Sequence, residues 1–136
     1  EDLEAKNHFA PGANLVVKEY IDNMPDLLAA ADLVISRSGA LTLAELEAMG
    51  RASILIPSPN VAENHQYYNA LELQNAGAAI VIEEKDLTGA KLIETVHTLL
   101  AEPGKLTAMG TAAKTLGNPK SLDLITAKLL ELVNGK

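Results

Sequence analysis

A chain of 136 residues, 48% hydrophobic and 21% charged, is one globular domain's worth of material and long enough to bury a real core. Its net charge of −7 speaks against a general nucleic-acid binder, which needs a basic surface to displace counterions. With no cysteine it has neither disulfides nor a thiolate metal site, and no apolar run approaches the ~18 residues of a membrane span.

Aromatic residues are limited to Phe9, Tyr20, Tyr67 and Tyr68, so the core has to be aliphatic. The first residue is Glu1 rather than methionine, and a strand-like run follows soon after. The expectation is a piece of a longer polypeptide. Residues 1–13 are polar, with a helix tail expected over Asp2 to Asn7 and a turn at Pro11-Gly12. Asn14 to Tyr20 reads as a first strand, its apolar centre bounded by turn signals. Ile21-Asp22-Asn23-Met24 is then a loop, and Asp22 or Asn23 can cap a short helix from Pro25 to Ala31.

A second strand, Leu33 to Ser36, runs straight into Arg37-Ser38-Gly39 and a helix expected over about 40 to 49, closed by Gly50 as the C′ residue. A strand, a tight Ser/Gly turn and an immediate helix start gather backbone N–H groups and the positive helix end in one small volume, an anion site in the making. Thr42 offers a hydroxyl there, and Glu45 a carboxylate one turn along the same face. A phosphate at the helix mouth with a sugar hydroxyl on the carboxylate suits a nucleotide. A purely structural reading stands beside it: Thr42-x-x-Glu45 matches a capping box, with Leu41 and Leu46 as its staple. Arg37 is a candidate phosphate-side charge, or the ion-pair partner of Asp32 or Glu45.

Ser53 to Ile56 is a third strand, halted by Pro57-Ser58-Pro59. A loop over 57–64 leads to a helix from about His65 to Asn75. The run Asn64-His65-Gln66-Tyr67-Tyr68-Asn69 carries amides, an imidazole and hydroxyls suited to sugar hydroxyls, or else a cap, a solvated face and half-buried packing. Ala79 to Ile82 is a fourth strand, and helices are expected over Asp86 to Leu100, Lys105 to Thr115 and Pro119 to Val133. The last has Leu122, Ile125, Leu129 and Leu132 at helical spacing.

Short, continuous apolar strands alternating with helices imply an α/β fold, a doubly wound parallel sheet with both faces covered. Ligands of such sheets bind beyond the strand carboxyl ends, where the loops 21–24, 36–40 and 57–66 emerge. No G-x-G-x-x-G, P-loop or G-x-S-x-G pattern occurs. His8, His65 and His97 have no ligand spacing, so no metal site is expected.

Taken together, several blocks resemble one family. They are Ile21-Asp22-Asn23-Met24; Ala31-Asp32-Leu33-Val34-Ile35-Ser36-Arg37-Ser38-Gly39-Ala40-Leu41-Thr42-Leu43-Ala44-Glu45; Pro57; Asn64-His65-Gln66-Tyr67-Tyr68-Asn69-Ala70; and Ala76-Gly77-Ala78-Ala79. The family is that of the MurG transferases, which pass N-acetylglucosamine from its UDP derivative to the undecaprenyl-pyrophosphoryl-muramyl-pentapeptide lipid (lipid I) to form lipid II of bacterial peptidoglycan. The resemblance implies a Rossmann-like C-terminal half-domain of a GT-B glycosyltransferase, lacking its first strands. Residues 1–136 would be a partial UDP-sugar-binding domain, and the N-terminal acceptor domain, with its lipid I and membrane contacts, would be absent.

The resemblance also assigns roles. Ile21 would hold uracil through its backbone. Ala40, Leu41 and Thr42 would line the diphosphate, with Ser38 and Gly39 shaping the turn. Glu45 would accept the ribose hydroxyls, and Gln66, helped by His65 and Asn69, would contact the N-acetylglucosamine. It implies neither metal nor cofactor, no catalytic residue within this piece, and a cytoplasmic enzyme peripheral to the inner membrane. Two other readings stay open: another GT-B transferase or a sugar-nucleotide epimerase, and a non-catalytic subunit of a split glycosyltransferase.

Overall fold

The computed structural model describes residues 14–118 and 120–134. The helix expected over Asp2 to Asn7 and the Pro11-Gly12 turn lie outside them. In chain order the elements are α1 (Met24–Ala30), β1 (Leu33–Ser36), α2 (Ala40–Met49), β2 (Ala52–Leu55), α3 (His65–Asn75), β3 (Ala79–Val81), α4 (Gly89–Ala101), α5 (Lys105–Leu116) and α6 (Ser121–Asn134). Single 3₁₀ turns precede α3 (Ala62–Asn64) and α4 (Glu84–Asp86).

The strands form one parallel sheet in the order β1-β2-β3, with Leu33 opposite Ala52 and Ser53 opposite Ala79. The middle strand explains the layering. Its side chains alternate between faces, and all four residues are buried. Leu55 packs with Leu43 and Leu46 of α2 and Leu73 of α3. Ala52 and Ile54 pack with Leu99 of α4 and Met109 of α5 on the other face. The sheet is therefore covered on both sides, as expected for parallel strands with continuous apolar sequences.

One expected strand does not form. Residues 14–20 carry no ladder and are largely exposed, Val16 at 79%. An apolar run becomes a strand only where neighbouring backbone groups receive its N–H and C=O. No described strand pairs with it. The opposite edge is closed differently: the N–H of Val81 donates to Gln74 Oε1 at 2.9 Å, so a side chain of α3 blunts the β3 edge. Helix α6 forms where its periodicity predicts. Yet among the described residues it buries nothing, and Leu122, Ile125, Leu129 and Leu132 are all more than half exposed.

Two features of the frame carry predictions. Gly110 of α5 sits against the turn after α2, where an added Cβ would lie 2.4 Å from the Gly50 carbonyl oxygen. Gly110→Ala must push α5 away from β2. We expect a loss of roughly 1–3 kcal/mol from overpacking, more than the ~1 kcal/mol helix gain of alanine over glycine, read by chemical denaturation. Glu47 of α2 has its carboxyl pushed up by partial burial and then by the nearby charge of Glu72 on α3. A carboxylate raised in the fold favours the folded state below its unfolded pKa, and that favour is lost as pH rises through the raised value. Glu47→Gln should thus stabilise the chain slightly at pH 7, by under ~0.5 kcal/mol for so solvated a pair. The gain should vanish below about pH 4, as melting curves at the two pH values would show.

Candidate functional site

The carboxyl ends of β1 and β2 lead into the two segments that carry most of the sequence-selected residues. After β1 the chain turns through Arg37 and Ser38, and Gly39 is the N-cap of α2 with φ −67° and ψ 144°. No described side chain caps this helix. The first intrahelical bond runs from the Leu43 N–H to the Gly39 carbonyl at 3.0 Å. The N–H groups of Ala40, Leu41 and Thr42 come before that bond and point out of the helix end. This start overturns the capping-box alternative, since it puts Thr42 at the third helical position instead of at the cap. Gly39 adopts a backbone conformation open to any residue, and nothing lies within 4 Å of where its Cβ would be. The helix mouth is open. Ala40, Leu41 and Glu45 are exposed and Thr42 half-buried, Leu41 to 84%.

Ser38 behaves differently. It is completely buried, and its hydroxyl donates to the Gln66 carbonyl at 2.7 Å. That bond ties the β1–α2 turn to the start of α3. The Gln66 side chain is itself oriented, because its Oε1 accepts the Ser58 N–H at 3.0 Å. Its amide NH₂ is left as the donating end. His65 is exposed, and its Nδ1–H donates to the Ala62 carbonyl at 2.8 Å. Asn69 is half-buried one turn on, and Ile21 is half-buried in the loop before α1. Ser38 and Gln66 are thus brought together directly. No hydrogen bond among the described residues joins Ile21, Glu45 or Asn69 to them. Tyr67 and Tyr68 meet edge to face, with centroids 5.8 Å apart.

Arg37 pairs with neither Asp32 nor Glu45. Its Nη1 lies 3.3 Å from the Ile56 carbonyl and 3.5 Å from that of Pro57, and it pairs with the Glu84 carboxylate beyond β3. Glu84 was not selected from the sequence. The signal was the Glu83-Glu84-Lys85 run at a strand end two strands away, legible only once the strand order is known. Also missed was Glu63, which with Asn64 is left-handed at φ 53° and forms the kink into α3; Asn64 precedes that helix but its side chain makes no cap bond. A cavity of about 330 Å³ opens beside them, lined by Pro57, Pro59, Asn64, Tyr67, Glu83, Glu84 and Lys85. Asn64 and Tyr67 of the run singled out in the sequence line it, but none of the residues given a donor-binding role does. The residues of the α2 mouth, 38–45, do not line this cavity. Among the described residues no three His, Asp or Glu side chains gather to hold a metal ion.

The sequence profile of the family described as "Glycosyltransferase family 28 C-terminal domain" matches residues 1–125. The chain belongs to that family. It is 51% identical over 122 residues to the UDP-N-acetylglucosamine–N-acetylmuramyl-(pentapeptide) pyrophosphoryl-undecaprenol N-acetylglucosamine transferase of Oenococcus oeni, covering 90% of this chain and 33% of the relative. It is 49% identical over 110 residues to the transferase of the same name from Halalkalibacterium halodurans, covering 81% and 30%. Among solved structures it is similar to Acinetobacter baumannii MurG, with a TM-score of 0.74 and 29% identity over 91% of this chain and 35% of that one. As a member of the glycosyltransferase family 28 C-terminal domains, the chain has the Rossmann-like α/β fold of the GT-B C-terminal half. It spans about a third of the length of the relatives it matches.

Proposed function

We propose that this domain binds the donor, UDP-N-acetylglucosamine, for an inverting transferase that glycosylates lipid I to form lipid II. The activity itself would belong to a polypeptide about three times as long, as its relatives are. The observation that carries the reading is the open, uncapped mouth of α2 with an exposed carboxylate one turn inside it. In this reading Ala40, Leu41 and Thr42 donate their N–H groups to the diphosphate, and Glu45 accepts both ribose hydroxyls. Ile21 meets the uracil edge through its backbone, and Gln66 donates its amide to the sugar, flanked by His65 and Asn69. Ser38 and Gly39 act on the turn itself, one by tying it down and the other by leaving room.

The chemistry follows from where charge develops. The 4-hydroxyl of the acceptor attacks the anomeric carbon and UDP leaves, so negative charge grows on the diphosphate. Preorganised N–H groups at a helix end stabilise that charge without reorganising. The helix dipole alone contributes about 0.3–1 kcal/mol at an exposed site and up to ~2 when partly buried, so the N–H bonds and the ribose clamp have to supply most of the affinity. The general base and the lipid site are assigned to the remainder of the longer polypeptide. Residues 1–136 alone should bind donor without turning it over. No helix among the described residues is long and apolar enough to cross a membrane. We place the longer protein at the cytoplasmic face of the inner membrane, held there through its other domain.

Calorimetric titration with UDP, UDP-N-acetylglucosamine, ADP and GDP tests the reading. We expect both uridine ligands to bind and the purine diphosphates to bind at least about ten-fold more weakly. Binding of a purine nucleotide with UDP silent would discard it.

A further inference from the structure

We propose that Arg37 is a positioning residue for the sugar side of the site, acting on the loop that presents Gln66, and is not a ligand of the diphosphate. Naming the sugar rests on the donor reading above; the loop-holding role does not.

Consecutive residues hold that loop at its two ends. Arg37 reaches its beginning, with Nη1 at 3.3 Å from the Ile56 carbonyl and 3.5 Å from that of Pro57. Ser38 reaches its end, through the buried hydroxyl that donates to the Gln66 carbonyl at 2.7 Å. The residue after Pro57 completes the circuit, since the Ser58 N–H is what fixes the Gln66 amide, at 3.0 Å. The orientation of one sugar-facing donor therefore depends on where the chain leaves β2, and Arg37 grips the chain at that point.

The charge on Arg37 is already answered. Glu84, in the 3₁₀ turn after β3, pairs with Nη1. The guanidinium thus crosses the end of β2 and links the exits of all three strands. Strands lie about 4.8 Å apart, so this reach takes a long side chain. The pair is about half exposed, and a lone exposed ion pair contributes little. Its value here is geometric: one nitrogen, Nη1, at the end of a long side chain lies against both the Glu84 carboxylate and the carbonyls of the β2 exit, and the shorter, more strongly hydrated lysine ammonium is a poorer substitute. Among the described residues its hydrogen bonds all fall on the β2 and β3 side.

Arg37→Lys and Glu84→Gln in the 136-residue chain test the proposal. The measurements are the affinities for UDP and for UDP-N-acetylglucosamine, with amide hydrogen exchange at Ser58. We expect UDP affinity to stay within about two-fold of the parent in both variants. The ratio of the UDP-N-acetylglucosamine Kd to the UDP Kd should rise about five-fold in Arg37→Lys and less in Glu84→Gln, as expected when a hydrogen bond of ordinary strength is lost. Ser58 exchange should quicken in both. Equal weakening of both ligands in Arg37→Lys, with Glu84→Gln unaffected, would make Arg37 a phosphate ligand and overturn the proposal. So would unchanged ratios and unchanged exchange, which would reduce the pair to surface decoration. If the parent chain binds neither ligand, the donor reading fails, and Ser58 exchange still decides whether Arg37 holds the loop.

Discussion

Glu45→Ala is expected to weaken UDP binding about ten- to hundred-fold while leaving the fold's stability within ~0.5 kcal/mol. Glu45 is exposed on α2, so its removal opens no cavity, and alanine is the better helix former. A carboxylate bridging two vicinal hydroxyls makes charge-assisted hydrogen bonds, and losing such bonds costs roughly 1.5–3 kcal/mol, which gives the stated range at 1.4 kcal/mol per decade. In the proposed longer enzyme the same change should raise donor KM more than it lowers kcat, because a ribose clamp would act alike on ground and transition states. Calorimetry and a thermal melt on the same sample separate the two effects. An unaltered affinity would return Glu45 to being a solvated helix residue.

The neighbouring residue should behave in the opposite way. Leu46 is fully buried and packs in the cluster with Leu43, Leu55 and Leu73. Leu46→Ala should cost about 3 kcal/mol, within the 2–5 kcal/mol of leucine deletions in packed cores. Small domains hold only ~5–15 kcal/mol in total, so the loss is a large share. Urea unfolding should show a lower midpoint at unchanged slope. Donor affinity should fall only by the fraction unfolded and recover at saturating ligand. A loss below ~1 kcal/mol would mean that α2 is not seated as described, and its mouth would lose its fixed aim.

Residues 45 and 46 also mark what a sequence can and cannot tell. Short apolar runs bounded by turn signals located β1, β2 and β3 to within a residue or so, because a strand buried on both faces needs little but continuous aliphatic sequence. The same signal misled at Asn14 to Tyr20: ladder formation depends on a neighbour, and a run's own composition does not report one. The helix start was ambiguous for a related reason. Thr42-x-x-Glu45 fits a capping box and a binding face equally well, and only the observed N-cap at Gly39 removes the first. The spacing of Leu122, Ile125, Leu129 and Leu132 found α6 without revealing what its apolar stripe meets. The partnership of Arg37 with Glu84 spans forty-seven positions and two strands, so nothing local could have signalled it. The left-handed pair at Glu63 and Asn64 contains no glycine to announce it.

The account stands on the diphosphate lying against the backbone at the start of α2. Titrating the ¹⁵N-labelled chain with UDP and following each amide by NMR tests this most directly. The largest saturable shifts should fall on Ala40, Leu41 and Thr42, with a second group at Ile21. Shifts confined to the opposite ends of the strands, near Gly50 and Ala78, or none at all at concentrations where calorimetry reports binding, would contradict it.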